Sequence, residues 1–386
     1  MPFASLSEED QQAVRAAQKA RKAARQQARK AKQPSSHAAD SGTLPSAEGA
    51  AFPRSISRED YLNACAGGLF RHPRFPPTED CLAVLLRMLN GTDEQELELG
   101  PSMSAWVAAH IIVPSQAILL NSCNYFQFSG SPAALWDPSF LARLAYEGFF
   151  TITASTGPRG EEMIEPLPEL QPYYGVLFWK DFEQSKHVKQ ALSKLVRHPG
   201  KNAFCLVHNA DPQRTWRMVD EYHEQRHGGN WLTERYFKAM ERASENSAIN
   251  FSMHCIELFE VTEQGVHGDE PLAGEIGFSV GKVYTSLSGF TAVRSRDGIG
   301  TAQLVLLGRW LNRKGFAFWS LGHCYSPEMD YKRQLGQRVY PRRAFLALLH
   351  QHRGPFHLSG DGLAEHGALR HAEVCDMGAL LGDHDP

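Results

Sequence analysis

The stretch from Asn250 to Phe345 constrains the fold of this chain more than any other part. From Met253 to Glu260, residues at odd positions alternate with residues at even positions in the two-residue repeat of a β-strand. The same period returns from Ile276 to Val283, so the two segments are predicted to form a hairpin. From Thr301 to Arg313, apolar residues recur at the spacing of one helix face, and a short apolar run follows. A helix between two strands is typical of a βαβ-type connection, and the sequence therefore predicts a mixed α/β core.

Length and composition limit the class of protein. The chain has 386 residues, of which 42% are hydrophobic, enough for two domains with cores of their own. Its formal net charge of −3 means that a basic surface for nucleic acid has to be local. The seven cysteines are scattered without a CxxC pair, which favours free thiols in a reducing compartment. No apolar run reaches about 18 uninterrupted residues, so we expect a soluble, cytoplasmic protein without a membrane span.

The order of motifs in the central stretch resembles the leucyl/phenylalanyl-tRNA–protein transferase family. Three segments around the amphipathic helix carry the resemblance: HCIELFE, GEIGFSVGKVYTSLSGF and LGQRVYPRRAF. Upstream, FLARLAYEGFF, GVLFWKDFEQSKHVKQALSK and NWLTERYFKAM also follow the family's order. The resemblance implies an α/β (α+β) protein with a small N-terminal domain and a GNAT-like acyltransferase C-terminal domain built on a mixed sheet.

Composition and the resemblance together predict four regions. Residues 1–55 are expected to form a basic, helix-prone and disordered extension, with eight basic residues and no acid from Arg15 to Lys32. Residues 56–200 are assigned to an N-terminal α/β domain, and residues 201–353 to the GNAT-like catalytic domain. Residues 354–386 are rich in glycine, histidine and acids, which predicts a disordered tail.

The resemblance implies a reaction as well as a fold. The family moves a leucyl or phenylalanyl group from aminoacyl-tRNA to the N-terminal amino group of a protein that begins with Lys or Arg, which tags it for degradation under the N-end rule. This is the aminolysis of an ester, so an ammonium must lose a proton, the reactants must be aligned and an oxyanion must be stabilised. The expected partners are aminoacyl-tRNA and acceptor proteins. No membrane, metal or cofactor is expected to take part.

Three residues are candidate catalytic groups. Glu257 matches the glutamate of the family's H-S-x-E-x-W segment and would receive the acceptor amine, although a paired structural carboxylate is the alternative. Ser320 stands where the family has the aspartate of a D-C-Q sequence, and Gly322 stands where it has the glutamine. Serine is not a base near neutral pH. His323 follows directly, and because imidazole is a common general base in enzymes, this residue is a candidate base.

A second set of residues is expected to bind the substrate. Its members either match a pocket residue of the family or lie in a predicted loop that replaces the family's G-E-S-M-F segment. They are Trp231, Ser286, Ser288, Gly289 and Phe290. In that loop the glycine would allow close backbone approach to a ligand, and the serines would donate hydrogen bonds. Core packing is the alternative for the tryptophan.

A third set consists of basic residues that are candidates for contacts with tRNA phosphates. Two lie on a predicted helix in the N-terminal half, and four lie in a stretch dense in positive charge near the end of the resemblance. They are Lys186, Lys189, Lys332, Arg333, Arg342 and Arg343. Such contacts respond to charge and not to base sequence. An ordinary solvated surface is the alternative.

Two other functions fit parts of the sequence. A CoA-dependent N-acetyltransferase of the GNAT type would hold a pyrophosphate on backbone amides, and RSRDGIG at 294–300 approaches that signature with a different glycine spacing. A protein that binds tRNA or protein N-termini without catalysis would explain the loss of D-C-Q. Consumption of acetyl-CoA would favour the first, and tRNA binding without turnover would favour the second.

Overall fold

The computed structural model describes residues 52–67, 113–120, 123–155, 164–169, 171–182, 185–196, 203–245, 250–260, 269–292, 298–357 and 373–376. The basic segment from Arg15 to Lys32 and the RSRD portion of RSRDGIG lie outside these ranges. The described residues belong to one compact unit, Ala47–Pro386. The domain boundary near residue 200 stays a prediction.

The centre of the structure is an eight-stranded sheet with the order β13-β6-β11-β10-β9-β8-β7-β14. Its strands are β6 (Tyr173–Leu177), β7 (Ala203–His208), β8 (Phe251–Glu260), β9 (Ala273–Val280), β10 (Val283–Thr291), β11 (Phe318–Gly322), β13 (Arg338–Pro341) and β14 (Glu373–Asp376). Among the described strands of this sheet, only β10 and β11 run parallel to each other. The predicted mixed α/β fold is therefore confirmed.

The helices lie on both faces of the large sheet. They are α1 (Arg58–Gly67), α2 (Pro132–Leu135), α3 (Pro138–Tyr146), α4 (Lys186–Val196), α5 (Pro212–His227), α6 (Glu234–Ser244), α7 (Ile299–Arg313), α8 (Asp330–Gln334) and α9 (Arg342–His352). One apolar cluster joins α3, α5, α6 and α9 to one sheet face, through residues such as Leu141, Phe237 and Leu348. A second cluster joins α4 and α7 to the opposite face, through Val188 and Leu307. The helices of these two clusters each bury an apolar side, as their sequence patterns predict.

The segment from β8 to β11 follows the predicted order of elements. β8 and β9 pair antiparallel with Ile256 opposite Glu275, and β9 turns into β10 through Gly281. The helix α7 follows and returns the chain to β11, which lies beside β10 in the parallel direction. This is the predicted βαβ-type connection. Residues 283–285 at the start of β10 pair with residues 318–320 of β11, and β10 continues beyond this pairing to Thr291.

A four-stranded antiparallel sheet lies beside this core with the order β2-β3-β5-β4. Its strands are β2 (Val113–Leu120), β3 (Cys123–Ser129), β4 (Phe150–Ser155) and β5 (Ile164–Glu169). A two-stranded parallel pair joins β1 (Ile56–Ser57) to β12 (Tyr325–Ser326). The backbone amide of Thr153 on β4 donates to the carbonyl of Trp231, 3.3 Å away, which attaches this sheet to the segment before α6.

Two segments differ from the sequence expectation. The predicted loop from Ser286 to Phe290 is part of strand β10, whose pairing with β9 shifts at a bulge between Ser286 and Ser288. The bulge places one extra residue in the strand, so the alternation of side chains is interrupted and resembles a loop. Within the tail predicted to be disordered, Glu373–Asp376 forms strand β14 and pairs with the edge strand β7. Among the described residues, no helix has the length and apolar character needed to cross a bilayer.

Candidate active site

A pocket lies where the parallel strands β10 and β11 stop pairing. Val283 pairs with Phe318 and Thr285 pairs with Ser320, and the register ends there. The carboxyl end of β11 lies here, whereas β10 continues to Thr291, so the two strands separate and leave a crevice of the kind in which open α/β sheets bind ligands. The position of this pocket therefore fits a substrate site.

The lining of the pocket is mostly aromatic and aliphatic. The aromatic residues are Phe149, Phe150, Tyr174, Phe278 and Phe345, and the aliphatic ones include Val280, Val283 and Leu349. The hydroxyl-bearing side chains of Thr285 and Ser320 also face it. Such a lining suits an apolar group with a few polar contacts. The cavity volume is about 20 Å³, enough for about one water molecule, so a larger group requires side chains to move.

His323 lies just beyond the end of β11 and is held by a buried carboxylate. Its Nε2 lies 2.8 Å and 2.9 Å from the two carboxylate oxygens of Glu169, the last residue of β5. Glu169 is fully buried, whereas the side chain of His323 is 23% exposed. Because a carboxylate only accepts, Nε2 carries the proton of this hydrogen bond, and Nδ1 of the neutral ring is an acceptor. A buried acid that orients a partly exposed imidazole is an arrangement suited to a general base.

Further contacts fix this pair in place. The Nε2 amide of Gln171 donates to Glu169 at 2.8 Å. Aromatic rings surround the imidazole: the ring of Tyr325 lies 5.5 Å from it, that of Tyr61 5.8 Å and that of Phe150 6.3 Å, measured between centroids. Since Phe150 also lines the pocket, it joins the His323 pair to the pocket wall.

Lys332 supports the same turn from inside the protein. Its ammonium donates to the carbonyl of Leu321 and, at 2.9 Å, to that of His323. The residue is only 8% exposed, and burial lowers the pKa of Lys332 to about 8. The predicted contact between Lys332 and a tRNA phosphate does not fit this position, because the ammonium is enclosed and already bonded.

Glu257 occupies the centre of β8 and forms a two-point ion pair. Arg214 on α5 donates from Nε to one oxygen at 2.9 Å and from its terminal nitrogen to the other at 2.5 Å. Glu257 is 1% exposed, and the pKa of Arg214 is raised by its hydrogen bond to this carboxylate. Both carboxylate oxygens are therefore occupied, which favours the structural interpretation of Glu257 over an amine-binding one.

The predicted substrate-binding residues are distributed over different contacts. Trp231 is partly buried and packs against Phe150, with 5.5 Å between ring centroids, which brings it near the pocket wall. Ser286 hydrogen-bonds to Glu275 at 2.8 Å, and the Ser288 hydroxyl lies 2.8 Å from Nε2 of His223. Gly289 pairs with Glu275, and Phe290 is 4% exposed in the core. None of these four β10 residues lines the described pocket.

The remaining predicted phosphate contacts divide between surface and interior. Lys186 and Lys189 on α4 are exposed, as is Arg333 on α8. Arg342 is 9% exposed, donates to the Tyr174 hydroxyl and stacks on Phe149 at 4.8 Å, so it is not a surface residue. The side chain of Arg343 lies outside the described part of the structure.

The sequence prediction did not include the buried acids Glu169 and Glu275. Glu169 follows a proline in LPELQP, where no periodicity marks it. Glu275 on β9 accepts from the hydroxyls of Tyr284 at 2.9 Å and Ser286 at 2.8 Å, and burial raises the pKa of Glu275. An acid inside the apolar run GEIGF was a usable signal for a buried polar network. No group of three metal-ligating side chains occurs among the described residues.

Comparisons with known proteins give only distant similarity. No family model and no curated protein matches the sequence. FemX is similar with a TM-score of 0.34 and 9% identity, over 52% of this chain and 66% of that one, so the chain spans less than two thirds of FemX. The C-terminal domain (DUF2156) of a putative lysylphosphatidylglycerol synthetase from Agrobacterium fabrum has a TM-score of 0.31 and 12% identity, over 69% of this chain and 95% of that one.

A third solved structure of this kind is L-PGS from Bacillus licheniformis. Its TM-score is 0.31 and its identity 10%, over 68% of this chain and all 100% of that one. At these scores and identities, the likeness describes a distantly similar arrangement of mixed α/β elements.

Proposed function

We propose that this chain is an aminoacyltransferase that moves a leucyl or phenylalanyl group from aminoacyl-tRNA to the N-terminal amino group of a protein beginning with Lys or Arg. The observation that carries the proposal is the Glu169–His323 pair beside an apolar pocket where the parallel pairing of β10 and β11 ends. The motif order that resembles the leucyl/phenylalanyl-tRNA–protein transferases supports the same reaction. The names of the structurally similar proteins from Agrobacterium fabrum and Bacillus licheniformis are consistent with transfer of an amino acid, but they add no weight.

His323 is the base of this proposed reaction. The acceptor arrives as an α-ammonium and must lose a proton before its nitrogen can attack the ester carbon. Nδ1 of His323 hydrogen-bonds to no described residue, whereas Nε2 is held by Glu169. The carboxylate stabilises the imidazolium that forms when Nδ1 takes the proton, because opposite charges then lie within hydrogen-bond distance.

The pocket provides the place for the aminoacyl side chain. Phe278, Phe345 and Leu349 offer an apolar wall, which favours leucyl and phenylalanyl over charged groups. Since the cavity volume is about 20 Å³, binding must move side chains of the lining. Phe149 lies between α3 and β4, and Phe150 is the first residue of β4.

Exposed basic residues are the proposed phosphate contacts. Lys186 and Lys189 share one exposed side of α4, and Arg333 is 46% exposed on α8. Each such contact adds affinity that falls as salt rises, because binding releases counterions from the nucleic acid. Lys332 and Arg342 are left out of this surface because they are buried.

The proposal is tested with labelled Leu-, Phe- and Met-tRNA and peptides that begin with Lys, Arg, Asp or Ala. We expect the wild type to label the Lys and Arg peptides from Leu- or Phe-tRNA. We expect His323→Gln to lower kcat at least about 100-fold, the usual worth of a general base. His227→Gln, which changes an exposed histidine of α5, is the matched control and keeps full activity.

Other outcomes of the same assay point elsewhere. Acetylation of the peptide from acetyl-CoA, with no label from tRNA, would make the chain an N-acetyltransferase. Tight tRNA binding with no labelled peptide would make it a binding protein. Equal rates for wild type and His323→Gln would remove His323 as the base while leaving the transferase activity in place.

A further inference from the structure

Two buried hydroxyls face the pocket without a hydrogen-bond partner among the described residues. Thr285 on β10 and Ser320 on β11 are register partners and both line the pocket. They are 7% and 1% exposed. Side chains on one face of neighbouring strands stand about 5 Å apart. The two hydroxyls therefore form a pair aimed at one small volume.

Other buried or partly buried hydroxyls nearby have hydrogen-bond partners within the protein. Ser286 bonds to Glu275, Ser288 to His223 and Ser279 to His254, each at 2.8 Å. Buried polar groups in proteins almost always have partners, because an unmet hydrogen bond costs free energy. The pocket volume of about 20 Å³ admits one water-sized group. Thr285 and Ser320 thus define a site for a single oxygen atom that the protein itself does not supply.

The position of this oxygen site along the strands indicates which oxygen it takes. The row of Val283 and Phe318 is apolar, the row of Thr285 and Ser320 follows two residues later, and His323 comes after the end of β11. At about 3.3 Å per residue, successive rows on one face are about 6–7 Å apart. When the aminoacyl side chain contacts the apolar row and the acceptor amine lies at His323, the ester carbonyl lies between them, next to Thr285 and Ser320.

We propose that Thr285 and Ser320 donate hydrogen bonds to the carbonyl oxygen of the aminoacyl ester and stabilise the oxyanion of the tetrahedral intermediate. This inference rests on the proposed function. The amine nitrogen forms a bond to the carbonyl carbon, and the electron pair of the C=O bond moves to the oxygen between the two hydroxyls. The proton that His323 first took from the α-ammonium has by then passed to solvent, so the neutral imidazole takes the second proton, which the amine nitrogen loses as it attacks. On collapse, the bond to the ribose oxygen of tRNA breaks, and that oxygen takes the proton from His323, leaving an amide.

Ser320 is not a nucleophile in this scheme. A serine nucleophile needs a base in hydrogen-bond contact, and no described histidine or carboxylate bonds to Ser320. Its hydroxyl and that of Thr285 act as donors to the developing charge. Donors placed in a water-poor site contribute most of such stabilisation because they need no reorganisation during the reaction.

The test compares Thr285→Val, Ser320→Ala, the double variant and the hydroxyl-preserving Thr285→Ser. We expect each single loss of a hydroxyl to lower kcat about 100-fold with little change in KM for either substrate, and Thr285→Ser to keep most of the rate. Ser252→Ala on β8 is the matched control, and thermal melting verifies that every variant folds. Unchanged kcat in a folded double variant would overturn the proposal, as would a rise in KM at unchanged kcat.

A second part of the test measures ligand binding and does not require the protein to catalyse the reaction. An adenosine 3′-phosphonate that carries a phenylalkyl group mimics the tetrahedral oxyanion, and the corresponding neutral amide serves as its control. We expect the double variant to bind the phosphonate at least tenfold more weakly than the wild type does, with equal affinity for the amide. If the wild type transfers nothing but this difference persists, the proposed function fails and the oxyanion site stands. Equal phosphonate affinities, or no binding by the wild type, would overturn the site.

Discussion

Glu257 and Arg214 form a buried ion pair that joins the middle of β8 to the first turn of α5. Removing one partner leaves the other charge poorly solvated, a change that costs about 3–5 kcal/mol in fully buried pairs. Because the Arg214 side chain is 23% exposed, we expect a smaller loss for Glu257→Gln, about 1–3 kcal/mol. We expect the peptide KM to stay within about twofold of the wild type. Urea unfolding and initial-rate kinetics measure the two effects.

The double variant Arg214→Met/Glu257→Gln is the control for this prediction. Because it removes both charges, we expect it to be more stable than Glu257→Gln, with a coupling energy of about 1–3 kcal/mol in a double-mutant cycle. A strong rise in the peptide KM of Glu257→Gln at wild-type stability would contradict this account. That result would restore Glu257 as the group that receives the acceptor amine.

Single residues also mark the limit of what the sequence predicts about the site. His323 was predicted from its chemistry and its place after β11. Its partner Glu169 lies 154 positions away on a different sheet, and no sequence pattern joins the two. Glu257 was predicted to be important because a buried acid needs a reason, but only the structure identifies Arg214 as that reason. The sequence likewise did not indicate that Lys332 and Arg342 are buried, because both lie in a stretch that is rich in positive charge.

At the scale of elements, the turn after β11 depends on a buried lysine. Lys332 donates to the carbonyls of Leu321 and His323, and so fixes the chain direction that brings the imidazole to Glu169. Burial lowers the pKa of Lys332 from 10.5 to about 8, so between these values the unfolded chain binds more protons than the folded one. Stability contributed by this group is therefore constant below pH 8 and rises as the pH increases towards 10.5.

This linkage predicts a specific pH dependence. Relative to Lys332→Met, the wild type gains at most about 3 kcal/mol of unfolding free energy between pH 7.5 and pH 10.5, at about 1.36 kcal/mol per pKa unit. Urea unfolding of both proteins across this range measures the difference. Parallel stability curves would show that Lys332 titrates at its ordinary pKa and is not enclosed as described.

The elements themselves were largely predictable. The β8–β9 pair, the helix α7 and its return to β11 follow from periodicity, because each pattern runs long enough to average out single exceptions. The bulge in β10 was not predictable from the sequence, because one inserted residue shifts the alternation of side chains. The segment from Ser286 to Phe290 therefore resembles a loop. The strand β14 was missed because its stability comes from pairing with the edge of β7, a tertiary contact that its own composition does not reveal.

At the scale of the whole molecule, the fold brings distant segments together where the parallel pairing of β10 and β11 ends. β5 supplies Glu169, β10 supplies Thr285, and β11 supplies Ser320 and leads to His323. α3 and α9 close the apolar side of the pocket with Ala145, Phe345 and Leu349. A mixed sheet with one parallel pair at its centre is what makes this meeting point possible.

The most direct test of the central claim is the mass of the product peptide. A peptide beginning with Lys is incubated with the wild-type protein and Phe-tRNA or Leu-tRNA, and a second copy with an acetylated N-terminus serves as the control. We predict that the free-amine peptide gains the mass of one phenylalanyl or leucyl residue at its N-terminus, that the acetylated peptide is unchanged, and that His323→Gln forms the product at least about 100-fold more slowly. A free-amine peptide of unchanged mass after prolonged incubation with both tRNAs would contradict the account.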